Sequence, residues 1–253
     1  MTRIIMHGCN GRMGQIISEI CREDPDTEIV AGVDVTAQKE QSYPVFTDIM
    51  KCDIQADVVI DFSTAKAVDA VFDYCVERNL PLILCTTGLS EEQLEKADQA
   101  SKTVAILKSA NMSLGINTLF EILQKAAKVL SPAGFDVEIV EKHHNQKLDA
   151  PSGTALALAD AVNDAMNQIY EYKFDRSRER RKRDAKEIGI SAVRGGTIVG
   201  EHEVIFAGKD EVIEIKHTAY SRSVFGKGAV EAAKFIKGKE AGYYDMREVV
   251  AAR

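Results

Sequence analysis

The segment RIIMHGCNGRMGQIISEIC, Arg3 to Cys21, decides the fold of this chain. RIIM is a short apolar run that suits a strand, and MGQIISEIC carries apolar residues at helical spacing. Between them stand Gly8, Gly11 and Gly14, a G-x-x-G-x-x-G spacing. A glycine triplet alone is a weak signal, because turns collect glycine for steric reasons. Strand, glycine turn and helix in direct succession are a stronger one. Such a turn lets backbone approach a pyrophosphate whose charge rests on the helix N-terminus. The second strand-like run ends at Asp34, 34 − 14 = 20 residues past the last glycine. A carboxylate at that point can hold ribose hydroxyls. Gly8, Cys9, Asn10, Gly11, Arg12 and Met13 therefore read as a dinucleotide turn, with Arg12 as a cation beside the phosphates.

Outward from this turn the chain alternates strand-like and helical runs as far as about Ser109. EIVAGVDV, ADVVIDFS, LPLILCTTG and TVAILKS are apolar and β-branched, which suits strands covered on both faces of a parallel sheet. Such alternation implies right-handed βαβ units. Ligands of open parallel sheets bind at the strands' C-terminal ends. CTTG (Cys85, Thr86, Thr87 and Gly88) and SANM (Ser109, Ala110, Asn111 and Met112) fall there, and suit contacts to a nicotinamide and its ribose. Asp34 favours a free 2′-hydroxyl, and Val35 follows where an arginine would receive a 2′-phosphate. The reading leans to NADH over NADPH, with Arg12 and Lys39 as the cations that would reverse it.

After Asn111 the pattern changes. Met112–Leu130 reads as a helix stopped by Ser131-Pro132, Phe135–Glu141 as a half-buried strand, and Ala155–Ile169 as a helix. Ile188–Tyr220 reads as successive antiparallel strands with a turn at Gly208-Lys209-Asp210, and the last 28 residues or so return to helix. The expected fold is α/β. A Rossmann-like doubly wound parallel sheet spans 1–112 and 223–253, and an α+β domain with a mixed or antiparallel sheet spans 113–222. Ser221-Arg222-Ser223 is the expected hinge between them. The charge run RSRERRKRDAK, Arg176–Lys186, reads as a solvated helix or loop between the two parts.

Composition excludes several classes. The 253 residues are 45% hydrophobic and 28% charged, the balance of a soluble globular chain long enough to bury a core. No apolar run approaches the roughly 20 residues of a membrane helix, and MTRIIMHG has no signal-peptide layout, so the expected location is the cytoplasm. Cys9, Cys21, Cys52, Cys75 and Cys85 are scattered and odd in number, which indicates neither a disulfide framework nor a zinc knuckle. A net charge of −7 speaks against nucleic acid and requires a locally positive pocket for any anionic substrate.

That pocket is found in EKHHNQKLDAPSGTA, Glu141–Ala155. A strand delivers His143 and His144 at its end, and SGTALALADAV opens a helix capped by Ser152. The amides of Gly153 and Thr154 then form an anion site, and Lys147 adds a full positive charge. An imidazole supplies a proton near neutral pH. Asp149 can orient Lys147 or cap the helix. Adjacent strand residues point to opposite faces, so His143 and His144 do not share one ion, and no metal is expected. His7 reads as a packing or cofactor-edge residue, and His202 and His217 as sheet-face residues.

These strings, with SANMSLGIN, RGGTIVGEH and the terminal GYYDMREV, resemble the 4-hydroxy-tetrahydrodipicolinate (dihydrodipicolinate) reductase family, from Gly8 almost to the C-terminus. The resemblance implies reduction of a cyclic imine dicarboxylate by hydride from NADH or NADPH, in lysine and diaminopimelate biosynthesis. It also implies a cytoplasmic homotetramer whose second domain binds substrate and oligomerises. His143 is then the acid/base and Lys147 the proton donor, while His144, Gly153 and Thr154 bind substrate carboxylates. Gly8–Met13, Asp34, Cys85–Thr87 and Ser109–Met112 line the nucleotide. Cys85 replaces a glycine usual in the family, and Val35 stands where some members have arginine. Two rivals remain: another two-domain Rossmann oxidoreductase of amino-acid metabolism, and a dinucleotide-sensing regulator that binds nucleic acid through Arg176–Lys186.

Overall fold

A computed structural model describes residues 1–36 and 41–253, so Lys39 lies outside the described residues. The chain divides into two compact units, one of residues 1–114 with 222–253 and the other of residues 115–221.

The first unit begins with β1 (Thr2–His7), α1 (Arg12–Glu23) and β2 (Thr27–Val33). It continues through β3 (Val45–Phe46), β4 (Val58–Asp61), α2 (Val68–Arg78), β5 (Leu82–Leu84), α3 (Glu91–Ser101) and β6 (Ala105–Leu107). These strands, all parallel, lie in the order β3-β2-β1-β4-β5-β6. The order reverses between β1 and β4, and that switch point is where a doubly wound sheet binds its ligand. One face packs Ile4, Met6, Ile60 and Ile83 against Ile17 of α1, and the other packs Val59, Leu82 and Leu84 against Val71 and Phe72 of α2. Each such side chain contributes roughly 1.5–3 kcal/mol on burial. Apolarity on both faces is thus what makes these strands central.

The second unit holds α4 (Leu114–Leu130), β7 (Asp136–His143), α5 (Gly153–Ala165), β8 (Glu171–Lys173), β9 (Glu187–Arg194), β10 (Gly200–Ala207) and β11 (Val212–Ala219). Its sheet runs β11-β10-β7-β9-β8 and is mixed. β10 pairs antiparallel with β7 and β11, but β9 lies on the opposite side of β7 and runs parallel to it. The expected succession of antiparallel strands from Ile188 is therefore corrected at its first member. The stretch GGTIV, residues 195–199, between β9 and β10 carries the chain across the end of β7 instead of forming a hairpin. α5 is also shorter than expected, ending at Ala165 because Asn167 and Gln168 take left-handed backbone angles.

The Arg176–Lys186 run lies inside the second unit and is not a linker. Arg176 bonds Glu138 and Glu187, Arg181 bonds Glu187, and Arg183 bonds Asp136 and Glu138, so three of its arginines neutralise carboxylates of β7 and β9.

The chain then returns to the first unit as α6 (Ser223–Ile236), β12 (Gly242–Tyr244) and α7 (Met246–Ala251). α6 packs Val230, Ala233 and Ile236 on the α1 face of the parallel sheet, and β12 adds a strand beside β6. The tail is therefore helix, strand and helix, not helix throughout. No described helix is long and apolar enough to cross a membrane.

Candidate active site

The glycine turn is built as its sequence requires. Gly8 has φ +80°, and a Cβ there would lie 2.6 Å from the carbonyl oxygen of Phe62. A Cβ on Gly14 would lie 2.3 Å from the carbonyl oxygen of Gly8, so the turn folds directly onto the start of α1. Gly11 is the N-cap of α1 and forms no side-chain cap, Cys9 is buried beneath, and Arg12 and Met13 open the helix. Asn10 donates its backbone N–H to Asp34 Oδ2 at 2.9 Å and its side-chain amide to the Thr36 carbonyl. This ties the turn to the end of β2. Val35 is 85% exposed. His7 is buried and lies 2.7 Å from Asp61 Oδ1 through Nδ1, which makes it a packing residue of the strand ends.

Two further strand ends belong to the same sheet. Cys85 follows β5 and donates its N–H to the Asp61 carbonyl, and burial pushes its thiol well above the ordinary range. Thr86 is buried with its hydroxyl unpartnered among the described residues, while Thr87 is exposed. Ser109, Ala110, Asn111 and Met112 follow β6, and Asn111 Oδ1 accepts the Ser113 N–H. Glycines that admit no side chain, a carboxylate at the end of β2 and a buried unpartnered hydroxyl after β5 together fit a dinucleotide.

The second unit gathers the His-His-x-x-Lys string around the end of β7. Alternate residues of β7 are buried, so Val137, Ile139, Glu141 and His143 share one face, which passes from apolar to polar toward its C-terminal end. His143 ends the strand with its Nδ1 2.6 Å from Glu141 Oε2, and His144 follows half-buried. Glu141 is fully buried. It accepts two bonds from Arg194 at 2.7 Å each and one from the Ser152 N–H at 2.9 Å. Burial alone would push the Glu141 carboxyl up, but Arg194, His143 and the Ser152 amide more than offset it and hold it below the usual carboxylate range. Burial pushes the His143 imidazole down, and Glu141 restores only part of that.

Ser152 is the N-cap of α5, accepting from the Ala155 N–H, and its hydroxyl lies 3.0 Å from His202 Nε2. The His202 ring meets His143 edge-on, with centroids 5.1 Å apart. Burial takes the His202 imidazole down to about 3. Lys147 Nζ is 2.8 Å from Asp149 Oδ1, and the Gly153 amide also bonds that carboxylate, so Asp149 serves both of the roles open to it beside the Ser152 cap. Gly153 is exposed and Thr154 half-buried, in the first turn of α5.

Sequence reasoning brought His143, His144, Lys147, Gly153 and Thr154 to one place and missed the buried set beneath them. Arg194 and His202 lie on β9 and β10, and only the pairing of those strands with β7 brings them to Glu141. The alternation of β7 was the available signal, since it puts Glu141 on the same face as His143. Among the described residues no cluster of side chains could hold a metal ion.

A Rossmann-like parallel sheet with a glycine turn, joined in one chain to a unit that gathers His143, His144 and Lys147 at the end of β7, fits one class, a dinucleotide-dependent oxidoreductase. The family model described as dihydrodipicolinate reductase, N-terminus, matches residues 2–112, and its C-terminal counterpart matches 115–250. The chain belongs to the dihydrodipicolinate reductase family. It is 52% identical over 250 residues to the 4-hydroxy-tetrahydrodipicolinate reductase of Caldanaerobacter subterraneus subsp. tengcongensis, covering 99% of this chain and 98% of that protein. Its identity to the Clostridium tetani reductase is 51% over 246 residues, covering 97% and 96%. In fold it is similar to a dipicolinate-bound dihydrodipicolinate reductase from Paenisporosarcina sp. TG-14, with TM-score 0.80, 24% identity and coverage of 98% and 99%.

Proposed function

We propose that the protein reduces 4-hydroxy-tetrahydrodipicolinate (dihydrodipicolinate) to tetrahydrodipicolinate, in lysine and diaminopimelate biosynthesis. The observation that carries this reading is the grouping of His143, His144 and Lys147 with the amide end of α5. A ring with two carboxylates needs two anion sites and a proton source. His144 and the amides of Gly153 and Thr154 take the carboxylates, and His143 and Lys147 handle the proton. The dinucleotide, when bound, supplies the hydride. Overall the 4-hydroxyl leaves as water, and addition of that hydride to the unsaturated ring leaves electron density there, which a nearby cation stabilises before one proton is taken up.

Gly8, Cys9, Asn10, Gly11, Arg12 and Met13 hold the pyrophosphate, and Asp34 holds the adenosine ribose. Cys85, Thr86, Thr87 and Ser109–Met112 line the nicotinamide end. NADH is the preferred donor, because the Asp34 carboxylate repels a 2′-phosphate and exposed Val35 offers no cation to receive one. The same reading makes the active species a cytoplasmic homotetramer built through the second unit.

An assay following nicotinamide absorbance on freshly generated substrate, run separately with NADH and NADPH, tests this. Turnover with NADH at the lower KM is expected, and absence of turnover with either cofactor would end the proposal. His143→Ala should lower kcat roughly 10²–10⁴-fold with cofactor KM unchanged, the usual contribution of a positioned acid or base. Lys147→Ala should lower kcat and raise substrate KM together.

A further inference from the structure

We infer that Glu141, clamped by Arg194, is the positioning residue of this site: it fixes the tautomer of His143, so that Nε2 is the only ring nitrogen free to meet substrate. The inference rests on the acid/base reading of His143. Three donors to Glu141 cannot reverse direction: the two Arg194 N–H groups and the Ser152 backbone N–H. Two of them come from one guanidinium, whose charge in a bidentate pair holds the carboxyl below its usual range, so Glu141 is an ionised acceptor with no proton of its own to give. The 2.6 Å contact to His143 must then be Nδ1–H donating to Glu141 Oε2. In the neutral ring Nε2 consequently carries a lone pair, and it becomes a donor only when the ring is an imidazolium.

The ring is held in that orientation from its other sides. His202 packs edge-on against it and is anchored through Ser152. Nε2 points past Gly200, the first residue of β10, where a Cβ would stand 3.2 Å from it. A glycine at that position leaves the reactive nitrogen uncrowded. Arg194 also donates to the Asp149 carbonyl, so the same guanidinium ties the Lys147 loop to the strand that carries His143.

The charged and titratable groups around His143 are Glu141 on β7, Arg194 on β9, His202 on β10, and Lys147 and Asp149 on the following loop. Of these Glu141 is the anion in direct contact, so it is the group that keeps the imidazolium accessible against burial. Removing its charge lowers the His143 pKa. A proton donor must be protonated to act, so the limb on which activity falls with rising pH should move to lower pH.

The test combines ¹⁵N NMR of the histidine rings with kinetics of Glu141→Gln, His143→Ala and the double variant. The wild-type His143 resonance, assigned by its loss in His143→Ala, should be that of the Nδ1–H form. Glu141→Gln should lower kcat roughly 10²-fold, leave cofactor KM unchanged and shift the alkaline limb to lower pH. In the His143→Ala background it should add nothing, because residues that act as one unit are not additive. An Nε2–H ring in the wild-type protein overturns the inference without recourse to any variant that fails to fold. So does a Glu141→Gln enzyme with wild-type kcat and pH profile, or one that loses as much again in the His143→Ala background. Wild-type turnover by His143→Ala would overturn the acid/base reading and this role with it. Loss in His143→Ala with none in Glu141→Gln overturns this role alone.

Discussion

Lys147 reaches Asp149 before it reaches anything else. The ammonium and the Asp149 carboxylate are 2.8 Å apart. Burial pushes the Asp149 carboxyl up, but Lys147 and nearby backbone amides, that of Gly153 among them, more than offset this and hold it low. An incoming dicarboxylate must therefore compete with a carboxylate supplied by the chain itself, at the proposed proton donor Lys147 and at the Gly153 amide proposed to take a carboxylate. Asp149→Asn removes the competitor and keeps the shape. An exposed ion pair is worth about 1 kcal/mol at most, so substrate KM should fall by up to about fivefold. A steady-state KM at or above the wild-type value would show that Asp149 orients Lys147 more than it screens it. At this scale the sequence was most legible where function is written in contiguous residues. The string from His143 to Thr154 holds strand end, cation and helix start in chain order, and its chemistry follows from residue types. Glu141 and Arg194 are 53 residues apart, and no local spacing announces their pairing. His202 was expected to be a plain sheet-face residue. It does lie on a sheet face, but on the buried one and against the imidazole proposed to act.

Elements were legible in proportion to their apolar signal. The central strands β1, β2, β4, β5 and β6 lie in apolar, β-branched runs and were all anticipated, whereas β3 is two residues long and β12, GYY, lacks the apolar run that marks the equally short β5 and β6. The parallel placement of β9 was invisible for a different reason. Alternation shows which face of a strand is buried but not which neighbour it pairs with, and the loop before β10 is short enough to suggest a hairpin. One helix position is more constrained than its pattern suggests. Gly228 in α6 lies so close to the Met112 backbone that an added Cβ would stand 1.7 Å from its carbonyl oxygen. Backbone cannot move aside as a side-chain tip can, so Gly228→Ala must displace either α6 or the segment 109–112. Overpacking of this kind costs about 1–3 kcal/mol, which lowers Tm by roughly 3–10 °C in a chain of this size. Because 109–112 is proposed to line the nucleotide, KM for the dinucleotide should rise as well. A thermal melt and a cofactor titration check both. An unchanged Tm would mean that α6 slides without cost, and a lower Tm with unchanged KM would separate the helix from the site.

The stability of the whole molecule at acid pH depends on the histidine held neutral inside the second unit. His202 is 4% exposed, and burial takes its imidazole from 6.5 down to about 3, with His143, His217 and Lys147 opposing a charge and Glu141 favouring one. The sign follows from proton counting. Between about pH 6.5 and pH 3 the unfolded chain binds a proton at this residue that the folded chain refuses. Stability rises with pH wherever the unfolded state holds more protons, so acidification through this window favours unfolding. At pH 5, about 1.5 units below the unfolded value, that proton costs about 2 kcal/mol. Glu141 acts in the same direction, since its lowered carboxyl pKa gives stability that is lost as pH falls toward that pKa. Other carboxylates contribute too, so the slope of stability against pH does not isolate His202 in one protein. The difference between two proteins does. His202→Gln keeps a polar side chain opposite Ser152 and cannot take up the proton. It should be less stable than the wild type at pH 8, where the native packing and hydrogen bond are intact, and should lose less stability on going to pH 5. Urea unfolding at the two pH values measures this, and the gap between the proteins should narrow by about 2 kcal/mol. A constant gap would show that His202 charges as readily in the folded chain as in the unfolded one, and that the polar floor of the proposed active site is open to protons.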